Sequence, residues 1–318
     1  MKEVGIRSLG SFVPERRLTN EDLSKMVETS DEWIVTRTGI SERRIAGDEW
    51  KTSDLSIQAA RRAMVGSNLK EEEIDFVISS SCSPEVTCPA QAALVSKALG
   101  LKGYLFDVNA ACSGLVYALA LGDTLLKSGN GRHGLITAGE KITASVDYTD
   151  RTSCILFGDG AAALVLTTEP PYHRILGYKL GADPSGADLV WLGGQENHGT
   201  QDKHYFYQDG RGVFRFAVTT LKTLIPLMME EAGVRPNDRY FIIPHQANLR
   251  MIENVAKEMG IPMERFVMNI QTRGNTSSAS IGIAMAEAAE EGRFRAGDKL
   301  ILVGFGGGLT WAAAALEW

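Results

Sequence analysis

Strand-like and helix-like runs alternate along the whole of this 318-residue chain, and the alternation is run through twice. In the first half, residues 74–79, 135–139 and 161–166 read as apolar strands, and 89–99 and 114–127 read as helices stopped by Gly100 and Gly129. Pro170-Pro171 breaks the chain near its midpoint. Beyond it, 213–231 reads as a helix that Pro226 should kink or divide. Residues 240–243 and 300–304 read as strands, and 249–259 and 278–290 as helices. Apolar strands spaced by helices imply an α/β architecture with buried sheets.

The two halves match in order. Residues 135–139 match 300–304, offset by 165 positions, and Gly129 matches Gly292, offset by 163. Gly158-Asp159-Gly160 before an Ala-rich run matches Gly306-Gly307-Gly308 before another. The ordered set indicates a duplicated unit of about 150 residues.

Several function classes are disfavoured by composition. The net charge is −6 with a pI of about 5.5, and there are no basic runs, which argues against nucleic acid or a membrane surface as main partner. No apolar stretch approaches the roughly 18 residues of a membrane span, and the start of the chain lacks the apolar core of a signal peptide. A cytoplasmic protein with reduced thiols is expected. The four cysteines form no CxxC and the five histidines no HxxxH, so no metal site is expected.

Cys112 stands between a strand-like run (104–108) and a helix-like run (114–121), flanked by the small residues Ala110, Ala111, Ser113 and Gly114. A helix N-terminus favours thiolate over thiol and makes the sulfur a better nucleophile. Local context also allows a buried structural cysteine. Shifting Cys112 by 163 positions lands on Asn275, again just before a helix, so a pseudo-twofold axis would turn the two residues toward one pocket. His245 follows a strand and Pro244, a position that projects into the crevice at a sheet end.

Cys, His and Asn together allow two chemistries. In one, His is the base for Cys, as in papain-like hydrolases. In the other, Cys carries an acyl group while His and Asn donate hydrogen bonds to a thioester carbonyl that becomes an enolate on decarboxylation. The papain-type motif around the cysteine is missing, which favours the second.

Six stretches then identify a family resemblance: TSDEWIVTRTGI (29–40), VNAACSG (108–114), FGDG (157–160), PHQANLR (244–250), GNTS (274–277) and GFGGGLTW (304–311). From Gly5 to the C-terminus the chain resembles β-ketoacyl-acyl carrier protein synthase III, the initiating condensing enzyme of type II fatty acid synthesis. Elongating synthases resemble a Cys-His-His set and hydroxymethylglutaryl-CoA synthases use a Glu; here the third member is Asn275.

The resemblance implies a thiolase-like five-layer αβαβα sandwich of two halves, 1–171 carrying the nucleophile and 172–318 carrying His and Asn. It implies a homodimer and a ping-pong Claisen condensation of an acyl-CoA primer with malonyl-acyl carrier protein, with no cofactor beyond the coenzyme A thioester substrate. The backbone N–H groups of Cys112 and Gly307 would form the oxyanion hole. Trp33 and Arg151 would sandwich adenine, Thr29 would bond its edge, and Arg37 would hold phosphates. Gly210, Phe214 and Asn248 would line the pantetheine tunnel, and Arg215, Arg250 and Lys257 would receive the acidic carrier protein.

Cys88 departs from the pattern. It stands just before Pro89, where enzymes with acetyl primers often carry a Phe, so a wider primer pocket is expected. The polar stretch 193–209 reads as an exposed loop near the CoA entrance. A sister condensing enzyme of polyketide or acyl-chain metabolism would share Cys112, His245 and Asn275. A cysteine hydrolase of acyl thioesters would release free acid instead. A dinucleotide-binding dehydrogenase is excluded, because the glycine run at 304–308 has no βαβ unit after it.

Overall fold

The computed structural model describes residues 2–193 and 205–318, so part of the 193–209 stretch lies outside the described residues. The described residues form the strands β1 (Gly5–Phe12), β2 (Arg17–Thr19), β3 (Glu42–Arg44), β4 (Phe76–Ser80), β5 (Tyr104–Val108), β6 (His133–Glu140), β7 (Gly160–Thr167), β8 (His173–Ala182), β9 (Val190–Trp191), β10 (Tyr207–Gln208), β11 (Tyr240–Pro244), β12 (Lys299–Gly306) and β13 (Thr310–Glu317). The helices are α1 (Asn20–Ser24), α2 (Asp31–Thr38), α3 (Thr52–Ser67), α4 (Gln91–Leu99), α5 (Gly114–Lys127), α6 (Arg151–Cys154), α7 (Gly210–Glu231), α8 (Leu249–Met259), α9 (Ile270–Arg273) and α10 (Ser280–Glu290).

Nine strands hydrogen-bond in the order β11-β12-β13-β8-β1-β7-β6-β4-β5. The two ends of this order come from opposite halves of the sequence. They join through a short antiparallel contact between β1 and β8, pairing Gly5 with Arg174 and Ile6 with His173.

Period-2 alternation in the strands builds the layers. On β7, Ala162, Leu164 and Leu166 face a central core, while Ala161, Ala163 and Val165 face a second core under α3. On β13, Ala312, Ala314 and Leu316 enter the same central core, and Ala313 and Ala315 face a third core under α7 and α8. Helices α5 and α10 fill the centre: Leu115, Leu119, Ile281 and Ile283 are all buried there between the strands of both halves. The result is the five-layer αβαβα sandwich of the thiolase-like fold.

The repeat is sharper in space than in sequence. The helical turns Ala111–Ser113 and Ser277–Ala279, the starts of α5 and α10, and the ends of β6 and β12 are all offset by 166 positions. Both turns open on a non-glycine residue with left-handed backbone, Ala111 at φ 46° and Ser277 at φ 49°. The expected equivalence of Cys112 and Asn275 is therefore corrected: the counterpart of Cys112 is Ser278, three residues beyond Asn275.

Two further expectations are revised. Helix α7 runs unbroken through Pro226 for 22 residues. It is also long and apolar enough, by length and composition, to cross a membrane, contrary to the sequence reading. Its apolar face instead packs on the third core through Ala217, Leu221, Leu224, Ile225 and Met228.

Candidate active site

One cavity of about 1000 Å³ runs from Trp33 and Arg37 at the surface to Cys112, His245 and Asn275 at its floor. The thiol, the imidazole and the amide predicted from sequence are thus brought to one wall.

Cys112 is the middle residue of the turn that leads into α5. Backbone N–H groups in a first helical turn have no partner four residues back, so they face whatever lies ahead of the helix. Two tight packings fix the turn. An ideal Cβ on Gly114 would fall 2.0 Å from Ser80 Oγ, and one on Gly306 would fall 2.6 Å from the Cys112 nitrogen. The end of β12 therefore lies directly against the nucleophile because residue 306 has no side chain. Thr310, at the start of β13, ties the pieces together: its Oγ1 donates to the Ala110 carbonyl at 2.9 Å and lies 2.9 Å from Ser113 Oγ. Sequence reasoning passed over Thr310, although it lies inside the glycine-rich stretch that was singled out. Gly307 lines the cavity beside Val190.

The Cys112 sulfur lies 3.4 Å from Ser277 Oγ. Burial, opposed by that hydroxyl and reinforced by the charge of Glu140, pushes the thiol up to about 12. Burial pushes His245 down to about 3. The resting pair is a thiol and a neutral imidazole.

The hydrogen-bond network fixes the imidazole through one nitrogen. Ser280 Oγ accepts from the Gln246 N–H at 3.3 Å and lies 2.7 Å from His245 Nδ1. That contact engages Nδ1 and leaves Nε2 as the ring nitrogen free for a substrate. Phe305 packs edge-on against the ring at 5.2 Å and holds its plane. Ser280 is a positioning residue the sequence reading missed; its signal was a serine opening the helix after GNTS.

Asn275 is oriented in the same way. Its Oδ1 accepts from the Ser277 N–H at 2.9 Å, so its NH₂ group is the end left for the cavity. Its backbone is pinned by Asn275 N–H to the Leu156 carbonyl at 2.8 Å and by Gly158 N–H to its own carbonyl at 3.0 Å. This is why FGDG and GNTS, distant in sequence, act as one unit. Within FGDG, Asp159 takes hydrogen bonds from Ala46 N–H, Thr143 N–H and Thr143 Oγ1, and burial raises its carboxyl to about 6.

At the mouth, the Arg37 and Arg151 guanidinium carbons lie 4.9 and 4.6 Å from the Trp33 ring centroid. Arg151 also donates to the Glu28 carbonyl at 2.9 Å. A third flat group fits between Trp33 and Arg151 only when that pair opens. Thr29 Oγ1 is enclosed with no hydrogen-bond partner among the described residues. Gly210, Phe214 and Asn248 line the cavity. Asn248 also caps α8 through Arg250 N–H at 2.8 Å and donates to the Arg37 carbonyl at 3.1 Å.

The basic residues are less available than the sequence suggested. Arg250 commits its guanidinium to the Thr36 and Val35 carbonyls at the end of α2 and to Glu253 at 2.7 Å. Arg215 and Lys257 lie on α7 and α8, outside the cavity lining. Cys88 is exposed and is likewise no part of that lining. Among the described residues no group of three His, Cys, Asp or Glu side chains is arranged to hold a metal ion.

Comparison with known proteins agrees with this geometry. Residues 106–184 match the family described as 3-oxoacyl-[acyl-carrier-protein (ACP)] synthase III, and 229–318 match its C-terminal family. A β-ketoacyl-[acyl-carrier-protein] synthase III of Clostridium perfringens is 43% identical over 324 residues, covering 100% of both chains. The solved structure of the Thermus thermophilus synthase III superposes with a TM-score of 0.94 at 41% identity, covering 99% of each chain. The priming β-ketosynthase of the R1128 polyketide pathway superposes at 0.92 with 32% identity, covering 99% of this chain and 96% of that one.

Proposed function

The chain belongs to the 3-oxoacyl-[acyl-carrier-protein] synthase III family, and from that premise we propose how its residues divide the condensation between them. It is a condensing acyltransferase that initiates fatty acid biosynthesis. Cys112 attacks the carbonyl of an acyl-CoA primer; the acyl–sulfur bond to CoA breaks, and the Cys112 proton leaves on the CoA thiol. The N–H groups of Cys112 and Gly307 hold the oxyanion; losing one such donor typically costs roughly 3–4 kcal/mol. Malonyl-acyl carrier protein then loses CO₂. The His245 Nε2–H and the Asn275 NH₂ stabilise the enolate, whose carbon attacks the acyl-Cys112 carbonyl. Cys112 departs as thiolate and recovers one proton from solvent. The observation that carries this reading is a buried imidazole, anchored at Nδ1, in one cavity with the thiol and the Asn275 amide. An imidazole that burial keeps neutral, with its pKa pushed down to about 3, suits a donor to an enolate better than a base for a thiol.

Trp33, Arg151, Thr29 and Arg37 take the adenine and phosphates, and Gly210, Phe214 and Asn248 the pantetheine arm. Arg215, Arg250 and Lys257 steer the carrier protein. Arg250→Glu is expected to weaken use of the carrier protein and spare acyl-CoA; equal loss of both would discard that assignment. We read the halves as 1–171 and 172–318, the enzyme as cytoplasmic, and the assembly as a homodimer. The free edge strand β5 exposes Tyr104 and Leu105 at 44% and 36%, which supports a self-pairing seam there. Cys88 then reaches the partner's primer pocket, and Cys88→Phe should reduce use of longer primers. The likeness to a polyketide priming synthase favours one second reading, a specialised primer, and primer range separates the two.

Intact-protein mass spectrometry tests the scheme. The protein is mixed with acetyl-CoA or a longer acyl-CoA, then with malonyl-acyl carrier protein. An acyl mass that is lost in Cys112→Ser and discharges to β-ketoacyl-carrier protein is expected. Discharge only to free acid would instead establish a hydrolase.

A further inference from the structure

Glu140 is the last residue of β6, fully buried against the Ser277–Ala279 turn, and the condensation as described does not use it. Its carboxylate accepts from Cys82 N–H at 3.2 Å, Ser83 N–H at 3.0 Å, Ser81 Oγ at 3.1 Å, Ser83 Oγ at 2.5 Å and Ser278 Oγ at 2.6 Å. The Cys82 sulfur lies 3.5 Å from both carboxylate oxygens. Such a donor set suits an ionised carboxylate, which only accepts.

The repeat gives this cluster its meaning. At the 166-residue offset, Glu140 occupies the place that Gly306 holds in the second half, and Ser278 the place of Cys112. By sheet register Ser80, which pairs with Ala138, stands where His245 stands, one residue past the Pro244–Val303 pair. In one copy the strand ends in glycine and the turn opens to the cavity. In the other the strand ends in a carboxylate, which locks the turn. That locked turn carries the groups facing the nucleophile. Ser277 Oγ lies 3.4 Å from the Cys112 sulfur and 3.2 Å from the Cys82 sulfur, and Ser277 N–H orients the Asn275 amide.

We propose that Glu140 is a positioning residue for the condensation: it clamps the Ser81–Ser83 loop to Ser278, and so holds the Ser277 hydroxyl against Cys112 and the Asn275 amide toward the cavity. Its charge acts on the same sulfur. Glu140 opposes ionisation of Cys112 and, with burial, pushes Cys82 well up. The titratable group in contact with it is Cys82, and the adjacent Lys141 turns its Nζ away to the Gly47 and Trp50 carbonyls. Among the described residues no cation is hydrogen-bonded to the carboxylate or to the Cys112 sulfur, so the charge of Glu140 works against a thiolate there.

The inference rests on Cys112 as nucleophile. Its test therefore pairs turnover with iodoacetamide alkylation of Cys112, resolved from Cys82 by peptide mass spectrometry and independent of condensation. Glu140→Gln should speed Cys112 alkylation at pH 8 by about tenfold, the thiolate gain for one pKa unit. It should also lower kcat about tenfold with KM for acyl-CoA within about threefold. Glu140→Asp, which keeps the charge, should return alkylation to the wild-type rate. An unchanged alkylation rate, or an unchanged kcat, in a folded Glu140→Gln protein overturns the proposal. If that variant does not fold, Ser278→Ala decides: it cuts the 2.6 Å link and should lower kcat about fivefold at unchanged KM, and a wild-type kcat overturns the proposal.

Discussion

The turn Ala111–Ser113 and the turn Ser277–Ala279 share a backbone and do opposite work. Each begins in the left-handed region, each feeds a buried helix of the central layer, and each lies beside the end of a long strand. One presents a thiol to the cavity; the other buries a hydroxyl against a carboxylate. The difference lies less in the turn than in the strand beside it, which ends in Gly306 in one case and Glu140 in the other. A duplicated scaffold thus supplies two equivalent places for a nucleophile. One is kept open by removing a side chain, and the other is closed by adding one that orders its neighbour.

The largest effect comes from asking the closed turn to replace the open one. Cys112→Ser should reduce acyl-enzyme formation by about 10³-fold or more, since a hydroxyl without an activating base is a poor nucleophile. Adding Ser278→Cys should not restore an acyl mass, because position 278 is fully buried and faces Glu140. An acylated Cys at 278 would show that the two turns are not distinguished by access. Next in size is Gly306→Ala. Its Cβ would fall 2.6 Å from the Cys112 nitrogen, so the backbone of the turn must shift; melting should fall, and kcat per folded enzyme should drop about 10²-fold. Near-wild-type turnover would mean that close approach of β12 does not set the nucleophile's position.

Much of this was legible beforehand, for a physical reason. Alternation of apolar runs fixes layers, so strand and helix positions agreed to within a few residues, as for α8 at Leu249–Met259 and β5 at Tyr104–Val108. Cys112 was singled out because it stands between a strand-like and a helix-like run, His245 because it follows a strand and Pro244, and Asn275 through the offset between the halves; all three line the cavity. What escaped was the long-range pairing. The offset of 163 assigned Asn275 to Cys112 because it was taken from the glycines after α5 and α10, and α10 is three residues shorter than α5. Ser280, Thr310 and Glu140 act through hydrogen bonds to residues far away in sequence, so their positions next to recognised motifs did not reveal their partners. Pro226 looked like a break, yet α7 continues because its packing on the third core outweighs one missing N–H.

A tenfold effect is expected at His245's support. Ser280→Ala removes the hydroxyl that anchors Nδ1, and kcat should fall about tenfold with KM little changed. In the parent enzyme, acylation should show no inflection near pH 6.5, since folded His245 takes a proton only near pH 3. The sign for stability follows. Unfolded His245 binds a proton near pH 6.5 and folded His245 does not, so stability is intact above 6.5 and falls as the pH drops from there toward 3. His245→Gln should flatten that loss in a melting series. Cys112 faces no cation and has no such window, so an inflection near 6.5 that survives in His245→Gln would have to come from elsewhere.

The smallest effect tests whether the halves also divide substrate binding. Trp33 and Arg151 both come from the first half, while Phe214 and Asn248 on the tunnel wall come from the second. If the first half holds the nucleotide and the second the pantetheine, Arg151→Ala should raise KM for acyl-CoA about fivefold, the loss of about 1 kcal/mol of stacking at a partly exposed ring. It should leave kcat and the KM for malonyl-carrier protein unchanged, because the carrier brings a pantetheine arm without adenine. The opposing contribution is the existing Arg151 contact with Trp33 at 4.6 Å, which must open before adenine enters. If breaking that contact costs as much as stacking returns, Arg151→Ala would leave KM unchanged. The nucleotide would then be held by Trp33, Thr29 and Arg37 without Arg151, and the division of binding between the halves would rest on the tryptophan.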